Sequence, residues 1–385
     1  MHAHPVIQWT EAGEACSERW RSERGVAPPG RVVIADDRMT ADVAYGLACQ
    51  GTGLLWRGDF QNARQMLNAL ATRADRQPAR SKKPDATATF LSPAEVFHLH
   101  RQRRSQRART LGMLLVQLDA DYGIALRRAP DIRQACMEAY GPGEESSVVS
   151  LRELLGLIGA HEWRAKGIDI PATGGRIHPH YGVFAPIRRE YVDLVADAPL
   201  PAATASLSVA FDIGTGTGVL AAVLARRGIG RVVATDQDPR ALACARDNIE
   251  GLGLTKQVRL VQTDLFPEGQ AALVVCNPPW VPARPSSPIE HGIYDADSRM
   301  LRGFLAALPA HLAPGGEGWL ILSDLAEHLG LRSRAELVAL FDAAGLNVVD
   351  RIDIRPIHPK AADETDPLHA ARAAEVTSLW RLAMR

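Results

Sequence analysis

The chain has 385 residues, 46% of them apolar and 23% charged, enough for two or three globular domains at roughly 150 residues each. Lysine plus arginine (44) equals aspartate plus glutamate (44), which excludes a globally basic nucleic-acid coat but not a local patch. Five scattered cysteines without a C-x-x-C spacing argue against a disulfide framework or a structural zinc site, and no apolar run approaches the roughly 20 residues that span a bilayer.

Residues 1–170 read mainly as helices, an α-rich accessory or substrate-recognition domain. One stretch differs: Val32–Ala35 reads as a strand, Thr40–Gln50 as a helix, Leu54–Trp56 as a strand and Gln61–Arg73 as a helix. That order also fits a degenerate half of a nucleotide-binding fold, although the α-rich reading is preferred. Gln77–Asp85 is rich in turn formers and predicts a loop. Pro93–Asp119 carries apolar residues at helical spacing. Gly141–Ser147 breaks the chain and ends in a helix-capping signal before the helical run Leu151–Trp163.

Between Arg73 and Thr110 ten basic residues (Arg73, Arg76, Arg80, Lys82, Lys83, Arg101, Arg103, Arg104, Arg107, Arg109) face three acids (Asp75, Asp85, Glu95). This stretch is either a solvated helix face or a track for RNA phosphates. His178 and His180 are spaced for a metal but lack a third ligand, so no metal is expected. Tyr181 and Phe184, just before the next domain, are placed to wall a pocket.

From Ser206 the pattern changes. Apolar strands are expected at Val209–Ile213, Val232–Thr235, Val258–Gln262, Leu273–Cys276, Gly318–Leu322, Val348–Ile354 and Ser378–Ala383. Helices are expected near Val219–Arg227, Pro239–Glu250, Ser298–His311 and Ser333–Ala344. Wholly apolar strands separated by helices predict an α/β domain over 171–385: a seven-stranded, mostly parallel Rossmann-like sheet covered on both faces. Its last two strands lack a clear intervening helix and suggest one antiparallel strand.

The first of these strands opens into Phe211-Asp-Ile-Gly-Thr-Gly-Thr-Gly-Val219. Gly214, Gly216 and Gly218, with Thr215 between them, let the backbone turn tightly and approach a ligand. The dinucleotide pattern G-x-G-x-x-G would need glycine where Val219 stands. Asp212 just before the loop disfavours a pyrophosphate and suits a ligand bearing an ammonium. Asp236, next to Gln237, lies 22 residues after Gly214, where an acid commonly accepts from ribose hydroxyls. Asp264 and the Leu265 backbone end the third strand and can read an adenine edge. Three acidic strand ends match an adenosine that carries positive charge.

The fourth strand runs into Asn277-Pro-Pro-Trp280, beyond the carboxyl edge of the sheet where ligands of open α/β folds bind. Pro278 and Pro279 stiffen the backbone and remove two N–H donors. The Asn277 amide oxygen and the Pro278 carbonyl remain as acceptors for both hydrogens of a planar –NH2 group, and Trp280 offers it a flat face.

These motifs resemble class I S-adenosylmethionine-dependent methyltransferases over about residues 180–385. The segment Thr263-Asp-Leu-Phe-Pro267 followed by Asn277-Pro-Pro-Trp280 looks most like the protein-glutamine N-methyltransferases of release factors, with Trp280 where those usually carry Tyr. Ala185-Pro-Ile-Arg-Arg-Glu190 resembles, in shifted form, their Pro-Arg-x-Glu element, whereas Pro288–Asp297 and the long N-terminal part depart from them. The resemblance implies S-adenosyl-L-methionine as cofactor, held by Asp212, Gly214, Thr215, Gly216, Gly218, Asp236, Gln237, Asp264, Leu265 and Asn277. It implies transfer at Asn277, Pro278, Pro279 and Trp280. A protein glutamine is the expected acceptor, with an amino group of a ribosomal RNA base or a small molecule as alternatives. Tyr294 and Asp295 fall in a loop expected to line the acceptor's mouth. No basic stretch followed by an apolar one opens the chain, so a cytoplasmic protein free of membrane is expected.

Overall fold

The computed structural model describes residues 4–76, 91–356 and 363–385; the Gln77–Asp85 loop lies outside them. The chain forms two compact units, Met1–Leu91 with His98–Glu162, and Ser92–Phe97 with Trp163–Arg385. The division therefore falls at Glu162/Trp163 and not at residue 170, because Ile170 and Ile177 are buried in the core of the second unit.

Through the first unit run β1 (Val6–Glu11), β2 (Glu14–Arg21), β3 (Arg31–Ala35), α1 (Ala41–Cys49), β4 (Thr52–Trp56), α2 (Phe60–Asp75), the larger part of α3 (Pro93–Leu111), β5 (Leu114–Leu118), α4 (Arg133–Tyr140), β6 (Ser147–Ser150) and the larger part of α5 (Leu151–Lys166). The expectation of an α-rich N-terminal domain is corrected here. Its strands form a six-stranded sheet in the order β1-β2-β6-β5-β4-β3. The strand–helix–strand–helix run read at Val32–Arg73 is present as β3, α1, β4 and α2, with β3, β4 and β5 parallel. The other strands escape detection for physical reasons. β1 buries only alternate residues, Ile7 and Trp9, and carries polar ones between them. β5 starts three residues after α3 ends, so its leucines prolong the helical periodicity. Buried Asp59 caps α2 by accepting from Gln61 N and also holds Arg127 and Arg128, which keep its carboxyl well below the usual carboxylate range.

The second unit begins with the hairpin β7 (Ile168–Ile170) and β8 (Gly175–Ile177), then α6 (Glu190–Asp197). There follow β9 (Val209–Ile213), α7 (Val219–Arg226), β10 (Arg231–Asp236), α8 (Pro239–Gly251), β11 (Val258–Gln262), β12 (Ala271–Cys276), α9 (Arg299–His311) and β13 (Leu312–Ser323). The unit closes with α10 (Leu325–His328), α11 (Arg334–Ala343), β14 (Leu346–Ile354), α12 (His369–Ala374) and β15 (Thr377–Met384). The sheet is seven-stranded, in the order β11-β10-β9-β12-β13-β15-β14, and β15 runs antiparallel to both its neighbours.

Period-two alternation divides the core between the faces of this sheet. Ala210, Leu273, Val275, Trp319 and Ile321 pack with the apolar side of α7. Phe211, Val274, Cys276, Leu320 and Leu322 pack with Leu301, Phe304, Leu305 and Leu308 of α9 and with Leu337 and Phe341 of α11. Every residue of β12 is buried, so the strand delivers Asn277 to the sheet edge on a rigid support. No helix among the described residues is long and apolar enough to cross a membrane.

Candidate active site

The glycine loop closes directly on β10: the amides of Gly214 and Thr215 both donate to the Thr235 carbonyl, at 2.9 and 2.8 Å. Gly214, Gly216 and Gly218 all have positive φ, which explains three glycines in five positions. A Cβ on Gly218 would lie 3.2 Å from Ala245 Cβ of α8, whereas one on Gly216 would meet nothing within 4 Å. Gly218 is thus needed for packing, and Gly216 borders open space at the sheet edge.

Asp212 is 1% exposed, beneath this loop. Its Oδ2 accepts from the Thr215 hydroxyl at 2.6 Å and from the Ala221 amide at 3.0 Å, which ties the loop to the first turn of α7. Burial pushes its carboxyl up to about 6, against the opposing pull of these two bonds. Thr215 is therefore a partner of Asp212. At the end of β10, Asp236 accepts from Gly216 N at 3.0 Å and Asp238 N at 2.9 Å, and burial raises its pKa as well. Gln237 beside it is exposed, and its carbonyl accepts from the Gln262 side chain.

At the end of β11, Leu265 adopts a left-handed φ of 70°. Its carbonyl accepts from the buried Thr235 hydroxyl at 2.6 Å, which locks this turn to β10. Asp264 is exposed and paired with Arg299 at the start of α9, a partner that sequence reasoning did not supply.

Asn277 and Trp280 form a closed turn after β12. The Trp280 indole Nε1–H donates to Asn277 Oδ1 at 2.9 Å. An indole nitrogen only donates, so this bond fixes which side of the amide is oxygen and uses one of its two lone pairs. Trp280 is half-buried, and the Arg188 guanidinium lies 5.7 Å from its ring centroid. Pro278 is buried and Pro279 half-buried.

Phe184 stands against Gly292, where a Cβ would come within 2.5 Å of its own, so the segment before α6 touches the loop after the motif. Tyr294 meets Phe97 edge-on at 6.5 Å. Asp295 differs from the mouth residue expected: it is buried and accepts from the Met300 and Leu301 amides, capping α9. His178 Nδ1 lies 2.6 Å from the Arg164 carbonyl and His180 Nε2 2.9 Å from Asp247. Among the described residues no group of three or more His, Cys, Asp or Glu is arranged to hold a metal.

Comparison with known proteins bears on the same region. A family model described as "Methyltransferase small domain" matches residues 175–343. The chain is 39% identical over 144 residues to a ribosomal protein L11 methyltransferase of Pelotomaculum thermopropionicum, covering 37% of this chain and 39% of the relative. It is 35% identical over 155 residues to a release factor glutamine methyltransferase of Cereibacter sphaeroides, covering 35% of this chain and 51% of the relative. It is 29% identical over 235 residues to a tRNA1(Val) (adenine(37)-N6)-methyltransferase of Shewanella loihica, covering 56% of this chain and 91% of the relative. The chain thus spans about half, or less, of the first two relatives. A likeness to methyltransferases thus covers residues 175–343, the stretch that holds the glycine loop and Asn277–Trp280.

Proposed function

We propose that this chain is an S-adenosylmethionine-dependent N-methyltransferase whose acceptor is a planar amino or amide nitrogen. The observation that carries this reading is the rigid turn after β12, in which Asn277 Oδ1 is oriented by Trp280 and followed by two prolines. The open space in front of Gly216 and the acids Asp212, Asp236 and Asp264 at neighbouring strand ends suit a positively charged nucleoside. Asp212 Oδ1 would face its ammonium, Asp236 its ribose, and Asp264 with Leu265 its adenine. When bound, the cofactor supplies an electrophilic methyl group.

The protein's own part is positioning and electrostatics. Asn277 Oδ1 retains a lone pair beside the indole bond, and the Pro278 carbonyl supplies a second acceptor. Together they would hold both hydrogens of the acceptor –NH2 and stabilise the positive charge that grows on nitrogen during transfer. Acceptors so placed act on the transition state more than on the ground state. A strong base is unnecessary, because the methylated nitrogen is acidic until it loses its extra proton.

A protein glutamine side chain is the acceptor favoured by the resemblance of the Asn277–Trp280 segment to release-factor methyltransferases. A nucleobase amino group is the second reading. It is favoured by the match that spans 91% of a tRNA adenine methyltransferase and by the arginines of α3. Tritiated methyl transfer into a cell extract, followed by ribonuclease or protease, separates them. Label lost to protease alone supports glutamine, and label lost to ribonuclease alone supports the nucleobase. Label in neither fraction contradicts a macromolecular acceptor.

A further inference from the structure

Resting on the planar-nitrogen reading above, we infer that Arg188 and Glu375 form a positioning pair that holds Trp280 and, through it, the Asn277 amide. Glu375 lies between α12 and β15, and its side chain is wholly buried. It accepts from Arg188 Nη1 at 2.6 Å and Nη2 at 3.2 Å, and from the Ser323 hydroxyl at the end of β13 at 2.8 Å. The neighbouring Val376 amide donates to Asp324 Oδ1 at 2.7 Å, so this corner is fixed to the sheet on two sides. A two-point bond to a buried carboxylate leaves the guanidinium little freedom. Its carbon lies 5.7 Å from the Trp280 ring centroid, within range of a cation–π contact.

The ring so held presents its N–H to Asn277 Oδ1. An asparagine amide otherwise turns about its last side-chain torsion and exchanges a donor face for an acceptor face. Only the acceptor face can receive an –NH2 group. The chain Ser323–Glu375–Arg188–Trp280–Asn277 therefore runs from the floor of the sheet to the atom proposed to meet the acceptor. Arg188 and Glu375 touch no reacting atom; they act through Trp280.

The test uses the full chain labelled with 15N in its seven tryptophan indoles. Trp280→Phe assigns the Trp280 signal by deleting it, and Asn277→Ala shows how that signal moves when its acceptor is lost. Arg188→Met is expected to move the signal toward its Asn277→Ala position and to slow methyl transfer about ten-fold. Affinity for S-adenosylhomocysteine, by calorimetry, should stay unchanged. Arg188→Lys, which keeps a cation over the ring, should recover part of the rate. Arg188→Met combined with Trp280→Phe should be no slower than Trp280→Phe alone, the signature of two residues acting as one. An unmoved indole signal and an unchanged rate in Arg188→Met would overturn the positioning role. If Arg188→Met does not fold, Glu375→Gln is judged by the same indole shift and rate. Full transfer by Asn277→Ala would sink the planar-nitrogen reading and the positioning pair with it. Loss of transfer in Asn277→Ala with none in Arg188→Met would remove the pair alone.

Discussion

Asp212 gives the proposed cofactor pocket a quantitative test. It is 1% exposed, and burial raises its carboxyl from 3.8 to about 6 in the free protein. A bound ammonium favours the ionised form. Affinity for an ammonium-bearing nucleoside should therefore rise with pH through about 6 and level off above it. At pH 5 roughly one-tenth of Asp212 is ionised and at pH 7 roughly nine-tenths, so the dissociation constant should fall about ten-fold between them. Calorimetric titration with S-adenosylhomocysteine from pH 5 to 8 measures this directly. 5′-Methylthioadenosine, which lacks the ammonium, should show no such step.

The same shift acts on stability with the opposite sign. Because the folded pKa lies above the unfolded one, the free protein loses stability as pH rises from about 4 to about 6, by about 3 kcal/mol in all. Asp212→Asn can still accept from Thr215 and Ala221, so it should unfold at a higher temperature at pH 7.5 while binding the nucleoside more weakly. A flat affinity profile in the native protein, or undiminished binding by Asp212→Asn, would refute the pocket assignment and leave Asp212 a loop anchor only.

Three further outcomes are expected. Gly218→Ala forces a side chain into φ +81° against Ala245 and should cost about 1–3 kcal/mol in denaturant unfolding; an unchanged midpoint would contradict the packing role. Asp295→Ala removes the cap of α9 and should cost about 1–2 kcal/mol, read from thermal unfolding, with unaltered nucleoside affinity. If the acceptor is RNA, alanine at both Arg103 and Arg104 should weaken RNA binding and lower the slope of log affinity against log salt by about two. An unaltered slope would assign these arginines to a merely solvated helix face.

The C-terminal unit was legible because parallel strands buried on both faces must be apolar throughout. Val209–Ile213 and Val258–Gln262 match β9 and β11 end to end. The glycines announced their turn because left-handed φ is strained for other residues. The N-terminal sheet was far less legible. A strand such as β1, buried on one side, looks polar, and four-residue β6 is too short to carry a period. At the candidate site, the residue types stand in the sequence but their partners do not. Nothing local to Asp264 points to Arg299, and Glu375 lies too far along the chain from Arg188 for spacing to link them. The capping role of Asp295 was hidden by two left-handed residues, Asp297 and Ser298, between the cap and its helix. Such couplings belong to tertiary structure, where distant segments meet.

The roles proposed for Asn277 and Pro278 require the acceptor atom to be nitrogen. Transfer of a 13C-methyl group from labelled S-adenosylmethionine into a 15N-labelled cell extract tests it in one spectrum. Transfer to nitrogen should give a product methyl carbon split by one-bond coupling to 15N. A product methyl carbon without that splitting would place the transferred group on oxygen, sulfur or carbon and contradict the role given to Asn277 and Pro278.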